Sequence, residues 1–350
     1  MRVLVAMSGG VDSSVAAALL VEQGHDVVGA TLKLWGGPSD SGCCSVADVD
    51  DARRVAQQLG VPHHVFNLTE EFDRHVVAPY VASHAAGQTP NPCIECNRSI
   101  KFDRLLERAD RMGFDRLATG HHARVTGPEL HRLRRGADPA KDQSYVLSML
   151  GQSELARVVF PVGEMTKAEV RAHAVRLGLR TADKPDSQDV CFIGRVEGRQ
   201  GFLGRQLEFH PAEVVDGSGQ QVGSVDAVEL VTLGQRRGMG HGADGARHYV
   251  VAVDVPTRRV TVGSAAEAVI SSLSLPARTL TWVDQPLRDG DRAVAQVSAH
   301  GRPAPCSVAV SGKELTITFD VPQRPVAPGQ TVALYDVAEP DAVVGAGIAA

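Results

Sequence analysis

The chain has 350 residues, 43% hydrophobic and 22% charged, which excludes a disordered polymer and suits two or three globular domains. No apolar run approaches the ~20 residues of a membrane span, and six cysteines are too few for a disulfide scaffold. With 36 basic and 41 acidic residues the net charge is −5, which argues against a non-specific nucleic-acid binder.

The first half alternates strand and helix patterns. Residues 2–7 (RVLVAM) predict a strand that runs into a glycine turn, and 13–22 a helix stopped near Gly24. Strands follow at 26–32 and 63–68, with a helix at 46–59 between them. A helix at 99–112, a short strand at 116–119 and a helix at 166–177, opened by a Thr166-to-Glu169 capping box, complete the pattern. After about Gly194 helical periodicity fades. Short strands are predicted at 214–215, 222–225, 228–232, 249–253, 260–262, 294–298, 307–310, 315–319 and 331–335. The expected fold is α/β: a parallel-sheet domain with helices on both faces (1–194), a small mostly-β central domain (195–272), and a C-terminal β-barrel-like domain (273–350). The opening residues are too short for a signal-peptide core, so reduced thiols in a cytosol are expected.

Charge is unevenly spread. Between Arg98 and Arg135 there are ten Lys/Arg against five Asp/Glu, a basic island on an acidic protein. Such an island can steer a polyanion to one face, or it can be a solvated helix face.

The strongest local signal is Ser8-Gly9-Gly10-Val11-Asp12-Ser13, between the first strand and the first helix. Glycines there let backbone N–H groups turn toward an anion, and the helix N-terminus adds a favourable dipole. Ser8 and Ser13 can donate to phosphate oxygens, whereas the anionic Asp12 suits Mg²⁺ or a capping bond. Neither a GxxxxGK[ST] nor a GxGxxG pattern is present, which disfavours a Walker loop and a dinucleotide site. The plain alternative is a strand–helix turn with a serine cap.

Cys93 and Cys96 form a CxxC that two prolines, Pro90 and Pro92, lead into. With a helix expected from Ser99 and Arg98 alongside, lowered thiol pKa values are expected. A third thiol, Cys191, lies in Asp186-Ser187-Gln188-Asp189-Val190-Cys191-Phe192. A lone CxxC is also compatible with half a zinc site or with inert thiols, but no second ligand pair follows. Cys43, Cys44 and Cys306 read as structural.

Phosphate loop, CxxC and DSQDVCF segment together resemble the tRNA-specific 2-thiouridylase family, within the N-type ATP pyrophosphatase superfamily. Residues 118–124 (ATGHHAR), 141–145 (KDQSY), 232–238 (TLGQRRG) and 328–330 (PGQ) extend the match over nearly the whole chain. The resemblance implies an ATP-dependent sulfurtransferase acting on the wobble uridine of tRNA. ATP would bind along Ala6, Met7, Ser8, Gly9, Gly10, Val11, Asp12 and Ser13, at Leu32 and at Gly120. Asn91, Pro92 and Cys93 match the segment that meets the target base. His121, Lys141, Asp142, Gln143 and Gln330 match tRNA-contacting positions. Cys96 matches the nucleophile and Cys191 its partner. Two departures are visible: some members carry Asp at position 93, and the family's Arg-Tyr pair is replaced here by residues 298–302 (SAHGR).

The implied reaction has two steps. The uridine 2-carbonyl oxygen attacks the α-phosphate of ATP, releasing pyrophosphate, and an enzyme sulfur then attacks C2, releasing AMP. The sulfur comes either from a Cys191 persulfide, with Cys96 attacking the terminal sulfur or closing a disulfide after transfer, or from a [4Fe–4S] cluster on Cys93, Cys96 and Cys191. Expected partners are the tRNA anticodon region and a sulfur donor such as a cysteine desulfurase or relay protein. Competing functions are an amidating or ligating pyrophosphatase, a thiolase for another tRNA position, and a non-enzymatic nucleotide-binding module.

Overall fold

The computed structural model describes residues 1–35, 45–186, 190–194, 196–242 and 245–350. Cys43 and Cys44, and Ser187 to Asp189 of the DSQDVCF segment, lie outside these residues.

Strands β1 (Arg2–Ala6), β2 (Asp26–Lys33) and β3 (His63–Asn67) pair in parallel, as do β4 (Arg116–Thr119) and, later, β7 (Val158–Val159). Their order is β3-β2-β1-β4-β7, with Ala6 level with Ala30 on one side and Thr119 on the other. Side chains alternate across β1, so Leu4 joins one core while Val3 and Val5 join the other. Both faces are covered, which accounts for the continuous apolar runs of these strands. Helix α1 (Val11–Glu22) is buried almost all round, between α2 (Val46–Leu59) and the helix Lys167–Arg176. The chain leaves β1 toward β2 on one side while β4 returns on the other. Their C-terminal ends therefore frame the crevice where ligands of such sheets bind.

Helix α3 (residues 69–85) was not expected from sequence, and α4 (residues 92–111) starts earlier than the expected Ser99. Pro92 fits the first helical position, and the Asn91 side chain accepts the Cys93 N–H at 3.0 Å. Both thiols of the CxxC are thus inside the helix rather than ahead of it. From Cys96 to Arg104 the winding widens to a π-helix. Strands β5 (Ala123–Thr126) and β6 (Arg132–Arg135) form a hairpin. The last long helix of this body, α5 (Lys167–Arg176), carries the expected capping box.

After a short helix α6 (Gly198–Gly204), a second sheet of β8 (Ala212–Val215), β9 (Gln221–Val225), β10 (Tyr249–Asp254) and β11 (Arg259–Gly263) follows. Residues 228–232, expected as a strand, instead hold a 3₁₀ turn at Val228–Leu230. Val228 is packed into the core of this sheet, and the buried Glu229 accepts from the His210 ring at 2.8 Å, so the turn spends its side chains on packing rather than on pairing. The third sheet, in the order β12-β16-β15-β14-β17-β18-β13, is antiparallel and curled. Its strands are β12 (Ile270–Pro276), β13 (Thr281–Trp282), β14 (Arg292–Gln296), β15 (Ala304–Val310), β16 (Glu314–Gln323), β17 (Thr331–Tyr335) and β18 (Val343–Ile348). β12, unforeseen in sequence, crosses residues 272 and 273. A Cβ built at Gly347 would lie 3.1 Å from the Leu275 side chain, so β18 approaches β12 across the curl. Cys306 is fully buried here and donates to the Ala293 carbonyl at 3.4 Å; burial pushes its thiol up to about 11.

The basic island is largely neutralised. Arg98, Arg104, Arg108 and Arg111 pair with acids of neighbouring turns or of α3. Arg124, Arg132 and Arg134 of the β5–β6 hairpin reach Asp341 and Glu339 of the C-terminal sheet. Arg135 holds Asp142 at 2.7 Å and lies over the Tyr335 ring, 3.8 Å from its centroid. This part of the island clamps the first and third bodies together rather than lying open to a polyanion.

Candidate active site

The phosphate loop lies at the C-terminal end of β1. Gly10 is the N-cap of α1, so Val11, Asp12 and Ser13 form its first turn. The Ser8 N–H donates to Ser13 Oγ at 3.2 Å, and Ser13 and Ser14 hydroxyls donate to the Gly10 carbonyl at 3.2 and 2.8 Å. Among the described residues, nothing accepts from the N–H groups of Gly10, Val11, Asp12 and Ser13. This is the donor set an anion would meet at a helix N-terminus. Gly9 has φ +73°, a conformation L side chains rarely adopt, and a Cβ there would sit 2.2 Å from the Asp48 carbonyl oxygen. Gly120, at the end of β4, lies so close that its Cβ would be 2.5 Å from the Ser13 nitrogen. Two glycines far apart in sequence thus keep one helix N-terminus uncovered.

Asp12 is not a capping residue. Its carboxylate receives Lys167 Nζ at 2.7 Å on each oxygen and His122 Nε2 at 3.2 Å. Burial would raise the Asp12 pKa, but these two partners outweigh it and hold it below the usual carboxylate range. Lys167 also reaches Asp186 at 3.0 Å, and Asp186 in turn receives Lys141 at 2.8 Å and Arg171 at 2.9 Å. Burial opposes ionisation of Asp186, and the two lysines more than compensate, keeping it well below the usual range.

Of the residues matched to tRNA contacts, Lys141 and Gln143 join this network, and Asp142, His121 and Gln330 have other partners. The Gln143 side-chain carbonyl accepts the His122 N–H at 2.9 Å. Asp142 is fully engaged, accepting from Arg135, from the Gly136 and Ser144 N–H groups, and from the Ser144 hydroxyl. His121 is buried between Phe102 and Phe160, with Nδ1 2.6 Å from the Thr119 hydroxyl. Burial first, then the charges of Lys101 and His122, hold its pKa well below the ordinary value, so it is neutral. Gln330 donates to the Thr89 carbonyl, and the Thr89 N–H donates to the Pro328 carbonyl at 3.0 Å. The third sheet is therefore bonded to the segment leading into Asn91, Pro92 and Cys93. Tyr145 OH donates to the Thr331 carbonyl at 2.8 Å, and Tyr335 OH lies 2.9 Å from Ser144 Oγ, adding to the same seam.

Cys96 is buried, and Cys93 and Cys191 are half-buried. Leu32, Cys96 and Phe192 belong to one hydrophobic cluster, against which Cys191 also packs. Phe192 anchors the Cys191 segment by edge contacts to Phe72, Tyr80 and Phe202 and a tilted contact to Trp35. Burial pushes the Tyr80 phenol above its ordinary value. Two thiol regions almost a hundred residues apart thus share one core. Among the described residues, no three His, Cys, Asp or Glu side chains converge as a metal-ligand set.

Residues 1–195 match a family described as tRNA methyl transferase HUP domain, 200–264 the corresponding PRC-barrel domain, and 272–349 an aminomethyltransferase β-barrel domain. A tRNA-specific 2-thiouridylase MnmA of Acidothermus cellulolyticus is 46% identical over 344 residues, covering 96% of this chain and 94% of its own. The chain belongs to the tRNA-specific 2-thiouridylase family. A member from Roseiflexus sp. is 44% identical over 377 residues, covering 99% and 98%. Among solved structures, a 4-thiouridine synthetase–RNA complex with bound ATP is 20% identical over 54% of this chain and 44% of its own, with a TM-score of 0.37, too slight to add to the assignment.

Lys167, Lys184, Asp48 and Asp51 were not singled out in the sequence, although all four adjoin the loop. Lys167 is hidden there as an ordinary residue after a capping threonine. Lys184 stands only two positions ahead of Asp186, in the segment leading to Cys191, and that was the one available signal.

Proposed function

We infer that this protein performs the ATP-dependent 2-thiolation of the wobble uridine of tRNA. The observation that carries the reading is the sharing of one folded body by an uncovered, glycine-lined helix N-terminus and the thiols Cys96 and Cys191. The first feature suits a triphosphate and the second suits sulfur transfer. An amidating or ligating enzyme would use the loop but has no call for paired thiol regions.

The chemistry follows from these parts. Backbone N–H groups of Gly10 to Ser13 bind and orient the ATP phosphates, so that a carbonyl oxygen can attack in line and pyrophosphate can leave. Lys167, paired with both Asp12 and Asp186, fixes the loop carboxylate beside the phosphate site. Mg²⁺, arriving with the nucleotide, would supply further charge neutralisation, with Asp12 the carboxylate nearest the loop. The outer sulfur of a Cys191 persulfide attacks C2 and AMP leaves; Cys96 then attacks the Cys191 sulfur, so the S–S bond breaks, the outer sulfur stays on C2 and a Cys96–Cys191 disulfide forms, which a thiol reductant reopens. The persulfide route is the one adopted, since it asks for one attacking thiol and one carrier, and Cys96 and Cys191 adjoin one core. Asn91, Pro92 and Cys93, at the start of α4, are the segment proposed to meet a base that leaves the anticodon stack at a cost of about a few kcal/mol, with Asn91 and Cys93 half-exposed and Pro92 buried behind them. With aromatic residues at only 4%, tRNA affinity should come mostly from phosphate contacts and fall steeply with salt. The sulfur donor would be a desulfurase or relay protein, and the compartment the cytoplasm, where the tRNA is.

The test is direct. Protein, ATP, a sulfur donor and bulk tRNA are incubated, and the tRNA is run on a mercury-containing gel. Retarded tRNA is expected only when ATP is present; unretarded tRNA alongside ATP consumption would favour the amidating alternative.

A further inference from the structure

Lys184 occupies a built station beneath the phosphate loop. Its Nζ donates to the Gly9 carbonyl at 2.9 Å, to Asp48 at 2.5 Å and to Asp51 at 2.8 Å. Burial opposes the charge on Lys184, but the two aspartates outweigh it and hold the pKa above the ordinary lysine value. Each aspartate is itself fixed. Asp48 accepts the Ser45 hydroxyl at 2.6 Å, and Asp51 holds Arg180 at 2.9 Å. An ammonium already balanced by two carboxylates has little charge left to offer a phosphate. Its effect on the loop must come through the Gly9 carbonyl.

That carbonyl matters because a trans peptide is planar, with C=O and the following N–H pointing in opposite directions. Drawing the Gly9 oxygen down onto Lys184 turns the Gly10 N–H the other way, into the loop. Gly9, at φ +73°, has the freedom to flip this peptide that other residues lack. Something must therefore choose the orientation. The Asp48 backbone pressed against Gly9 and the Lys184 ammonium are the two groups in place to do so.

We propose that Lys184 is a positioning residue for the nucleotide: it fixes the Gly9–Gly10 peptide so that the Gly10 N–H faces the ATP phosphates. The proposal rests on the reading of the loop as an ATP site and adds a residue through which the segment leading to Cys191 is tied to that site. Lys184 touches no phosphate in this scheme, and its influence is confined to the phosphate end of the nucleotide.

The test compares binding of adenosine and of the non-hydrolysable analogue α,β-methylene-ATP to the full chain, in wild type and Lys184→Met. The variant is expected to bind the analogue at least tenfold more weakly and adenosine with unchanged affinity, because only the phosphates meet Gly10. With saturating tRNA, pyrophosphate release should show a raised KM for ATP and an unchanged KM for tRNA. If Lys184→Met does not fold, Lys184→Gln, which removes the charge but keeps a polar stem, is measured in the same way. Unchanged analogue affinity in a folded variant overturns the proposal. So does a parallel loss of adenosine and analogue, which would mark a merely structural lysine. Failure of the wild type to bind either ligand would instead overturn the ATP reading itself.

Discussion

Gly120→Ala tests the architecture of the site with a single methyl group. Gly120 does not have a left-handed φ, so the substitution brings no backbone strain of its own, unlike one at Gly9. The new Cβ would lie 2.5 Å from the Ser13 nitrogen, 2.6 Å from the Asp12 carbonyl carbon and 2.9 Å from Ser13 Cα. Carbon contacts settle at roughly 3.5 Å or beyond, so β4 and the N-terminus of α1 must part by about 1 Å. Both are buried backbone, and neither can rotate aside as a side chain would. Overpacking of this kind costs about 1–3 kcal/mol of stability. The functional loss should be larger, because a displacement of about 1 Å in a positioning element can cost on the order of 100-fold in rate. The methyl would also shield the Ser13 N–H from a phosphate. The assay is tRNA-dependent pyrophosphate release, with a urea titration to verify folding. A folded Gly120→Ala protein with wild-type kcat/KM for ATP would refute the placement of the nucleotide between β1 and β4.

Three further outcomes are expected. Cys96→Ser should abolish thiolation, read on a mercury gel, while ATP-dependent pyrophosphate release persists; loss of both would make Cys96 part of the adenylation site instead. Tyr335→Phe removes a hydroxyl 2.9 Å from Ser144 Oγ in a buried seam, and since Ser144 keeps its Asp142 bond, the loss should be about 1 kcal/mol in a urea titration. An unchanged midpoint would mean that this bond does not help hold the third sheet to the first. Burial depresses the pKa of His121, and of His84 and His63, below 6.5, so the unfolded chain takes up protons that the folded chain refuses. Stability is therefore full above pH 6.5 and lost as the pH falls below it, at up to about 1.4 kcal/mol per pH unit for the buried His121 and His84 and less for His63, which solvent partly screens. The melting temperature should fall between pH 7.5 and 5.5, more shallowly in His121→Gln, and a flat profile in the wild type would contradict the burial argument.

Local patterns identified the parallel sheet and most of its helices. The helix predicted at 46–59 is observed at Val46–Leu59 and the strand predicted at 116–119 at Arg116–Thr119, because apolar periodicity and glycine stops report directly on which face is buried. The loop Ser8 to Ser13 was equally legible, since its glycines, serines and flanking strand and helix lie together in the chain. The start of α4 was missed because two prolines read as a break, although Pro92 suits a first helical turn. The 228–232 segment was misread because an apolar run looks the same whether its backbone pairs in a sheet or its side chains merely fill the space beneath one.

What the chain carries in its order is therefore the elements, the glycine turn ahead of α1 and the cysteines that the proposed reaction calls on. What only the folded molecule decides is who meets whom. Gly120 is just a small residue until β4 lies beside β1, and Lys184 just a charged one until α2 brings Asp48 and Asp51 beneath Gly9. The arginines of the β5–β6 hairpin show the same thing in reverse: their sum suggested an open basic face, and long-range packing against Glu339 and Asp341 turned them inward. Charge and periodicity are local sums, whereas a site is a set of distances between residues far apart in the chain, and those are set by how sheets and helices close on one another.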